Sequence, residues 1–341
     1  MNSRNLLIIT IFLSLYQIAS AQTIVSYEKP GKEEFQKAVS VVLSKTECNY
    51  SDMEGRIQAM GIIQREFNNF AAEKWHDYRS QTDKKKIAKY EKKGALYFYT
   101  KAMDKILEEL QTTVAKPGEI IMWNLYNMGY IVRTPSHTFS IDLVHKHIDK
   151  FAGYLEFNLI THNHRDHGSM NEFEAFAAAE VPVYAGYHRT EKPEALKWIY
   201  VEEGETITID NIVIKADRVD HSRKPEGYKF VTSYEIDCGN DTGNTVIFHT
   251  GDGRNYEQMN PEKAVDFFIF HTAVGLDIQK AINKVQPKFA VFSHAWEMGH
   301  KAEKYRWTID DLLNCAGMIT GFPEDRILLP CWGEKITYSK Q

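Results

Sequence analysis

The chain has 341 residues, 43% of them apolar and 26% charged, a profile that excludes a disordered or fibrous protein and leaves room for a large core plus an added module. The formal net charge is −5. Residues 22–115 hold 16 Lys and Arg against 14 Asp and Glu, and residues 116–341 hold 24 against 32; so acidic a body excludes nucleic acid as a main partner, because phosphates demand a basic surface.

Arg4, an apolar run over 6–18 and Ala19-Ser20-Ala21 follow the charged, apolar and small-residue order of an export signal. A membrane anchor or a buried first helix is the competing reading. The run is too short to span a bilayer, and no second long apolar run follows it. The expectation is a signal peptide over 1–21, a mature chain from Gln22 with no transmembrane segment, and a periplasmic or secreted location. No cysteine stands at the cleavage site to carry a lipid. The four cysteines, Cys48, Cys238, Cys315 and Cys331, match no zinc or CxxC spacing. Disulfides and buried free thiols both stay open, the second favoured slightly in so large a chain.

Over 31–112 apolar residues recur at three- and four-residue spacing, as at Ile57, Met60, Ile63 and Phe67. This predicts two or three amphipathic helices, the last over 83–113. The run Lys84-Lys85-Lys86, with Lys89, Lys92 and Lys93, reads as a solvated helix face. Lys116-Pro117-Gly118 ends this helical module, 22–117, and the body occupies 118–341. Phe67, Phe70, Trp75, Tyr97 and Phe98 need a surface to bury against. The module therefore either packs beside the functional cleft and shapes access to it, or joins two copies of the chain at a remote surface.

Beyond residue 119 short runs rich in β-branched and aromatic residues predict strands over 120–124, 130–134, 139–143, 157–160, 182–184, 206–209 and 212–216. Further strands are predicted over 230–237, 245–249, 265–270, 289–292 and 326–329, and helices over 169–179, 276–284 and 308–318. Asp210-Asn211 turns a hairpin. Paired strands with interspersed helices predict an α/β body of two packed sheets with helices outside.

Chemistry concentrates in Thr161-His162-Asn163-His164-Arg165-Asp166-His167-Gly168, directly after the strand over 157–160. Alternate residues of an extended stretch share a face, so His162 and His164 can grip one ion. The turn after Arg165 swings Asp166 and His167 toward a second. Imidazole and carboxylate are ligands that zinc, iron and manganese accept. His221, Asp252 within Gly251-Asp252-Gly253, and His294 each follow an apolar run. Singly each has a bland reading, and an Asp between glycines is often only a turn residue. Together they supply three ligands per ion and a bridge.

The order HxHxDH, then His, Gly-Asp and His, resembles the metallo-β-lactamase superfamily over about residues 119–338, and the likeness extends to Ile141-Asp142 and to Leu329 with Gly333-Glu334. It implies an αββα sandwich, to which the N-terminal helical module is an addition. It also implies two divalent ions, zinc by default with manganese or iron as alternatives. His162, His164 and His221 would hold the first, Asp166, His167 and His294 the second, with Asp252 bridging and Asp142 orienting a ligand histidine from behind. The stretch Trp123-Asn124-Leu125-Tyr126-Asn127-Met128-Gly129-Tyr130 is similar to the subgroup of L-ascorbate-6-phosphate lactonase and N-acyl phosphatidylethanolamine phospholipase D, which cut lactone and phosphodiester bonds. The common zinc β-lactamases place a metal-binding cysteine where this chain has Asp252, which counts against a β-lactam substrate.

The expectation is an exported hydrolase in which two ions lower the pKa of a shared water from ~15.7 toward ~7. The hydroxide would attack an ester, lactone or phosphodiester of a small-molecule or lipid-like substrate. Asp166 would position it or take its proton. His271, ending the strand over 265–270, would donate to a leaving group or be buried at the sheet edge. Arg254 would meet an anionic group or face solvent, and Trp296 and His300 would wall the pocket or simply pack. The alternative is a non-catalytic metal-binding or sensor protein on the same fold. N-terminal sequencing of the native protein is expected to begin at Gln22; a sequence beginning at Met1 would refute the export signal.

Overall fold

In the computed structural model, which describes residues 28–44, 55–221, 229–272, 274–300 and 307–340, strands β1 (Glu119–Asn124), β2 (Tyr130–Arg133) and β3 (Thr138–Ile141) form an antiparallel meander. The expected signal peptide and Cys48 lie outside the described residues. β4 (Asn158–Ile160), β5 (Val183–Ala185) and β6 (Trp198–Tyr200) continue this sheet in parallel, and β14 (Lys335–Ser339) pairs with β1 to close its other side. The second sheet repeats the pattern. β7 (Thr206–Ile209), β8 (Ile212–Val219), β9 (Val231–Asp237) and β10 (Val246–His249) pair antiparallel. β11 (Phe267–His271), β12 (Phe289–Ser293) and β13 (Ile327–Leu328) then add in parallel.

The side chains show how the sheets stack. One apolar cluster joins Met122, Tyr130, Phe139 and Leu159 of the first sheet to Ile214, Ile236, Ile269 and Val291 of the second. Their immediate neighbours Trp123, Ile131, Ile160, Phe268, Phe270 and Phe292 belong instead to a second cluster shared with the helices. Strands covered on both faces read as continuous apolar runs, as here. The layers are helix, sheet, sheet, helix, the αββα arrangement expected from the sequence.

On the outside lie α6 (Asp149–Ala152), α7 (Met170–Ala178), α8 (Ile278–Val285) and α9 (Ile309–Gly317). N-terminal to β1 the two or three expected helices are five among the described residues: α1 (Lys32–Ser44), α2 (Arg56–Asn68), α3 (Ala72–Ser80), α4 (Lys84–Tyr90) and α5 (Gly94–Thr112). The single helix expected over 83–113 is broken at Gly94, whose φ of +56° leaves the right-handed helix. That conformation favours glycine, and a Cβ there would also displace the Glu66 carboxylate. The edge strands β6 and β14 were not expected. Among the described residues no helix is long and apolar enough to cross a membrane. Cys238, Cys315 and Cys331 are free thiols.

The helices α1, α2, α3 and α5 bury Val42, Phe67, Trp75 and Phe98 in one continuous core with Trp123, Tyr126, Trp296 and Trp332 of the body. A buried ion pair crosses this junction. Arg56 and Glu334 are both 0% exposed; Arg56 Nε donates to Glu334 Oε1 at 2.7 Å, and its Nη2 also donates to Leu329 O at 2.6 Å. Cys331 N–H donates to Glu334 Oε2 at 2.7 Å. Removing one partner strands a charge without water, so Arg56→Met is expected to cost about 3–5 kcal/mol of stability in denaturant unfolding. The double variant Arg56→Met/Glu334→Leu should recover part of that loss, since it leaves no uncompensated charge.

Candidate metal centre

Four strand ends converge at one edge of the sandwich. β4 delivers Thr161 and His162, β8 His221, β10 the turn to Asp252, and β12 His294. In α/β sheets the carboxyl ends of parallel strands are where side chains from several strands meet over a cleft. All seven residues expected to hold metal are brought together.

His162, His164, His221 and Asp252 form one group, and Asp166, His167 and His294 a second, each with its ligand atoms within 4.8 Å of one another. In the first group His162 Nε2 lies 3.0 Å from His164 Nδ1, and His221 Nε2 lies 3.3 Å from the same atom. Asp252 Oδ2 stands 3.6 Å from both His162 Nε2 and His221 Nε2. In the second, Asp166 Oδ2 is 3.6 Å from His167 Nε2 and 3.3 Å from His294 Nε2. Asp252 Oδ1 is 3.3 Å from His167 Nε2. Ligands bound at about 2.0–2.1 Å around a tetrahedral zinc lie about 3.3–3.4 Å apart, and these spacings fall about that value. The two oxygens of Asp252 therefore face one group each.

Two of these atoms, His167 Nε2 and Asp252 Oδ1, are buried and make no hydrogen bond within the protein. Buried polar atoms ordinarily have partners, and a cation is the partner that suits a lone pair and a carboxylate pointing at the same place. The residues fit a metal pair.

Behind the ligands a short relay sets the histidine tautomers. Asp142 accepts at Oδ1 from Thr161 N–H, 2.8 Å, and at Oδ2 from Thr161 Oγ1, 2.7 Å, and His167 Nδ1, 2.8 Å. The Thr161 hydroxyl, having donated to Asp142, is left to accept from His162 Nδ1 at 3.0 Å. Both rings thus spend Nδ1–H on the relay and turn Nε2 outward, as a lone pair at His162 and, at His167, as a lone pair once an ion displaces its proton. Gly251 makes room for Thr161: its φ is +49°, and a Cβ there would stand 2.7 Å from Thr161 Cβ. His249 Nε2 donates to Met128 O at 3.0 Å, while its Nδ1 accepts from Gly251 N–H at 3.2 Å, pinning the same turn. Thr161, Asn127 and His249 are roles that the sequence reading missed. Thr161 lies at the head of the 161–168 motif and Asn127 within 123–130.

Asn127 Nδ2 donates to Asp166 Oδ2 at 3.1 Å, and Asn127 O accepts from His294 N–H at 3.3 Å. Tyr126, Asn127, Asp142, His294 and Trp296 all have positive φ, from 46° to 78°. Left-handed conformations in non-glycine residues cost of order 1–3 kcal/mol each and persist where surroundings over-determine them. His271 ends β11, only 4% exposed, its ring flat on His294 with centroids 3.7 Å apart. With Asp252 and His294 it forms a third possible ligand group. Phe230 lies against His162, His164 and His221, its centroid 5.4–6.0 Å from theirs. Trp296 is buried among aromatic rings, whereas His300 is bound through Nδ1 to Glu297 at 2.8 Å.

Burial opposes an imidazolium at His162 and lowers its pKa far below the ordinary value, with the neighbouring His167 adding to the effect. His167 is also buried, but Asp252, Asp142 and Asp166 outweigh burial and hold its proton on, raising its pKa well above the usual range. Binding an ion at His167 must displace that proton, so affinity falls as pH falls.

Compared with known proteins, the chain matches no family model and no curated protein. It is similar to solved structures over about two thirds of its length. Igni18, a metallo hydrolase from Ignicoccus hospitalis, is 15% identical with a TM-score of 0.48, over 65% of this chain and 100% of that one. A possible metal-dependent hydrolase from Veillonella parvula is 14% identical with a TM-score of 0.49, over 66% of this chain and 100% of that one. The metallo-β-lactamase fold protein YhfI from Bacillus subtilis is 13% identical with a TM-score of 0.47, over 64% of this chain and 99% of that one.

Asp142→Asn tests the relay. An amide accepts at only one of the two positions, so it cannot serve Thr161 N–H on one side and Thr161 Oγ1 and His167 Nδ1 on the other, and zinc affinity is expected to fall by about 10–100-fold in equilibrium titration. Unchanged affinity would show that the tautomers are set elsewhere.

Proposed function

We propose that this protein is an exported, metal-dependent hydrolase holding two divalent ions, zinc by default, acting on an ester, lactone or phosphodiester of a small-molecule or lipid-like substrate. The observation that carries the reading is Asp252, whose two oxygens each face a separate cluster of imidazoles and carboxylate. His162, His164 and His221 would hold the first ion and Asp166, His167 and His294 the second. When bound, such a pair supplies a Lewis acid and a water of lowered pKa.

The chain's own residues supply the rest. Asp166 stays ionised despite its burial, because His167 and His294 face it. Its carboxylate, steadied by Asn127, can orient an attacking water or take its proton. Phe230 offers an apolar wall beside the first group, where the acyl or alkyl part of a substrate can rest. His271 stacks on His294 and forms with it and Asp252 a third possible ligand group, so it can support His294 or donate to the leaving group. The sequence similarity of 123–130 to lactone- and phosphodiester-cleaving enzymes supports the choice of bonds.

Elemental analysis of the purified chain should find about two ions, and Asp252→Ala should lose at least one, since removing the bridge leaves two cations facing each other with less negative charge between them. The wild type should cleave at least one of a phosphodiester, a lactone and a thioester, and Asp252→Ala should cleave it far more slowly. Unchanged metal content in the variant would refute the bridge. Two bound ions with no cleavage of any substrate would favour the sensor reading.

A further inference from the structure

The two ligand groups are fastened in different ways. The first is held from the strands, by the Thr161 hydroxyl behind His162 and by Phe230 against all three imidazoles. The second shares the Asp142 relay at His167, but it is otherwise built on three loop segments, and a residue of the N-terminal helices grips each one.

Gln64 of α2 accepts at Oε1 from Trp296 Nε1, 2.6 Å, and from Ile309 N–H, 2.8 Å. Phe67, one helical turn on, stacks on the Trp296 ring at 5.3 Å and 15°. Trp296 has φ +61° and lies two residues beyond His294, itself at +78°. The second segment is Tyr126-Asn127, also left-handed. Trp75 of α3 and Tyr99 of α5 pack on the Tyr126 ring at 5.0 and 5.6 Å. Tyr126 OH donates to Glu297 Oε1 at 2.9 Å and accepts from Met298 N–H at 3.1 Å, tying the two segments together. The third follows His167: Arg79 of α3 donates through Nη2 to both Glu172 oxygens, 2.6 and 2.8 Å, and to Ser169 Oγ at 2.9 Å.

Left-handed turns do not hold themselves, and the surroundings must supply what the backbone conformation costs. We infer that α2, α3 and α5 are the positioning frame of the second metal group, with Gln64 as its key residue, so that affinity at Asp166, His167 and His294 depends on the N-terminal helices while affinity at His162, His164 and His221 does not. This rests on the two-ion reading above.

The test is zinc titration of the full-length, chelator-stripped chain in competition with a chromophoric chelator. The constant belonging to the second group is identified as the one lost in His294→Ala. Gln64→Leu removes the hydrogen bonds from Trp296 and Ile309 and is expected to weaken the second constant by about tenfold or more, the range seen when outer-shell partners are lost. The first constant should stay within about twofold. Phe67→Leu keeps an apolar α2 side chain but loses the stacking on Trp296; it should act in the same direction and stands in if Gln64→Leu does not fold. Val42→Ala, in the core of α1, controls for stability alone and should lower the melting temperature without separating the two constants. Wild-type binding of two ions with both constants unchanged, or weakened equally, in Gln64→Leu and Phe67→Leu would overturn the inference and leave the two-ion reading standing. A wild-type chain binding at most one ion overturns both.

Discussion

The carboxylate of Asp142 is the point from which the centre is organised. Parallel pairing of β3 with β4 sets Asp142 beside Thr161, with Asp142 N–H bonded to Leu159 O at 2.9 Å. The left-handed turn at Asp142, φ +46°, points its side chain across the strand end. From there it takes three hydrogen bonds, and two imidazoles are fixed as a result. A buried carboxylate is costly unless its lone pairs are used. This one uses them on groups that must themselves be oriented, so one desolvated charge orders both ligand groups.

Much of this was legible in the sequence. The four central ligands lie within six residues after one apolar strand. His221 follows a strand of alternating burial, whereas Asp252 and His294 follow strands buried on both faces. Such runs announce themselves through unbroken apolar composition. Less legible were β6, three half-buried residues, and β14, which alternates polar residues with Ile336 and Tyr338 at a sheet edge. Short edge strands carry little periodic signal. The helix break at Gly94 was hidden as well, because the three- and four-residue spacing persists on both sides while a single left-handed glycine redirects the chain.

The roles that escaped the sequence belong to residues with no ligand chemistry of their own. Thr161 was quoted inside the motif, yet its hydroxyl matters only because Asp142 lies one strand away. Gln64 stands 232 positions before Trp296, and no local pattern ties a helical glutamine to an indole that distant. Donor atoms can be read from residue type and spacing. The groups that hold donors in place depend on which elements become neighbours in the folded chain, so they appear only with the structure.

The strand order has a bearing on how the molecule is made. The first sheet begins with β1 at residue 119, but the strand that covers its open side, β14, is among the last residues described. A ribosome releasing the chain from its N-terminus therefore exposes the β1 edge while some two hundred further residues are still being added. An uncovered edge offers unpaired backbone groups to any extended segment nearby. Late closure by a sequence-distant strand is also a slow, high-contact-order event. The packing of α5 and Trp123 against the outer face shields the flat of that sheet during the wait, but the edge itself stays open until the final strand emerges.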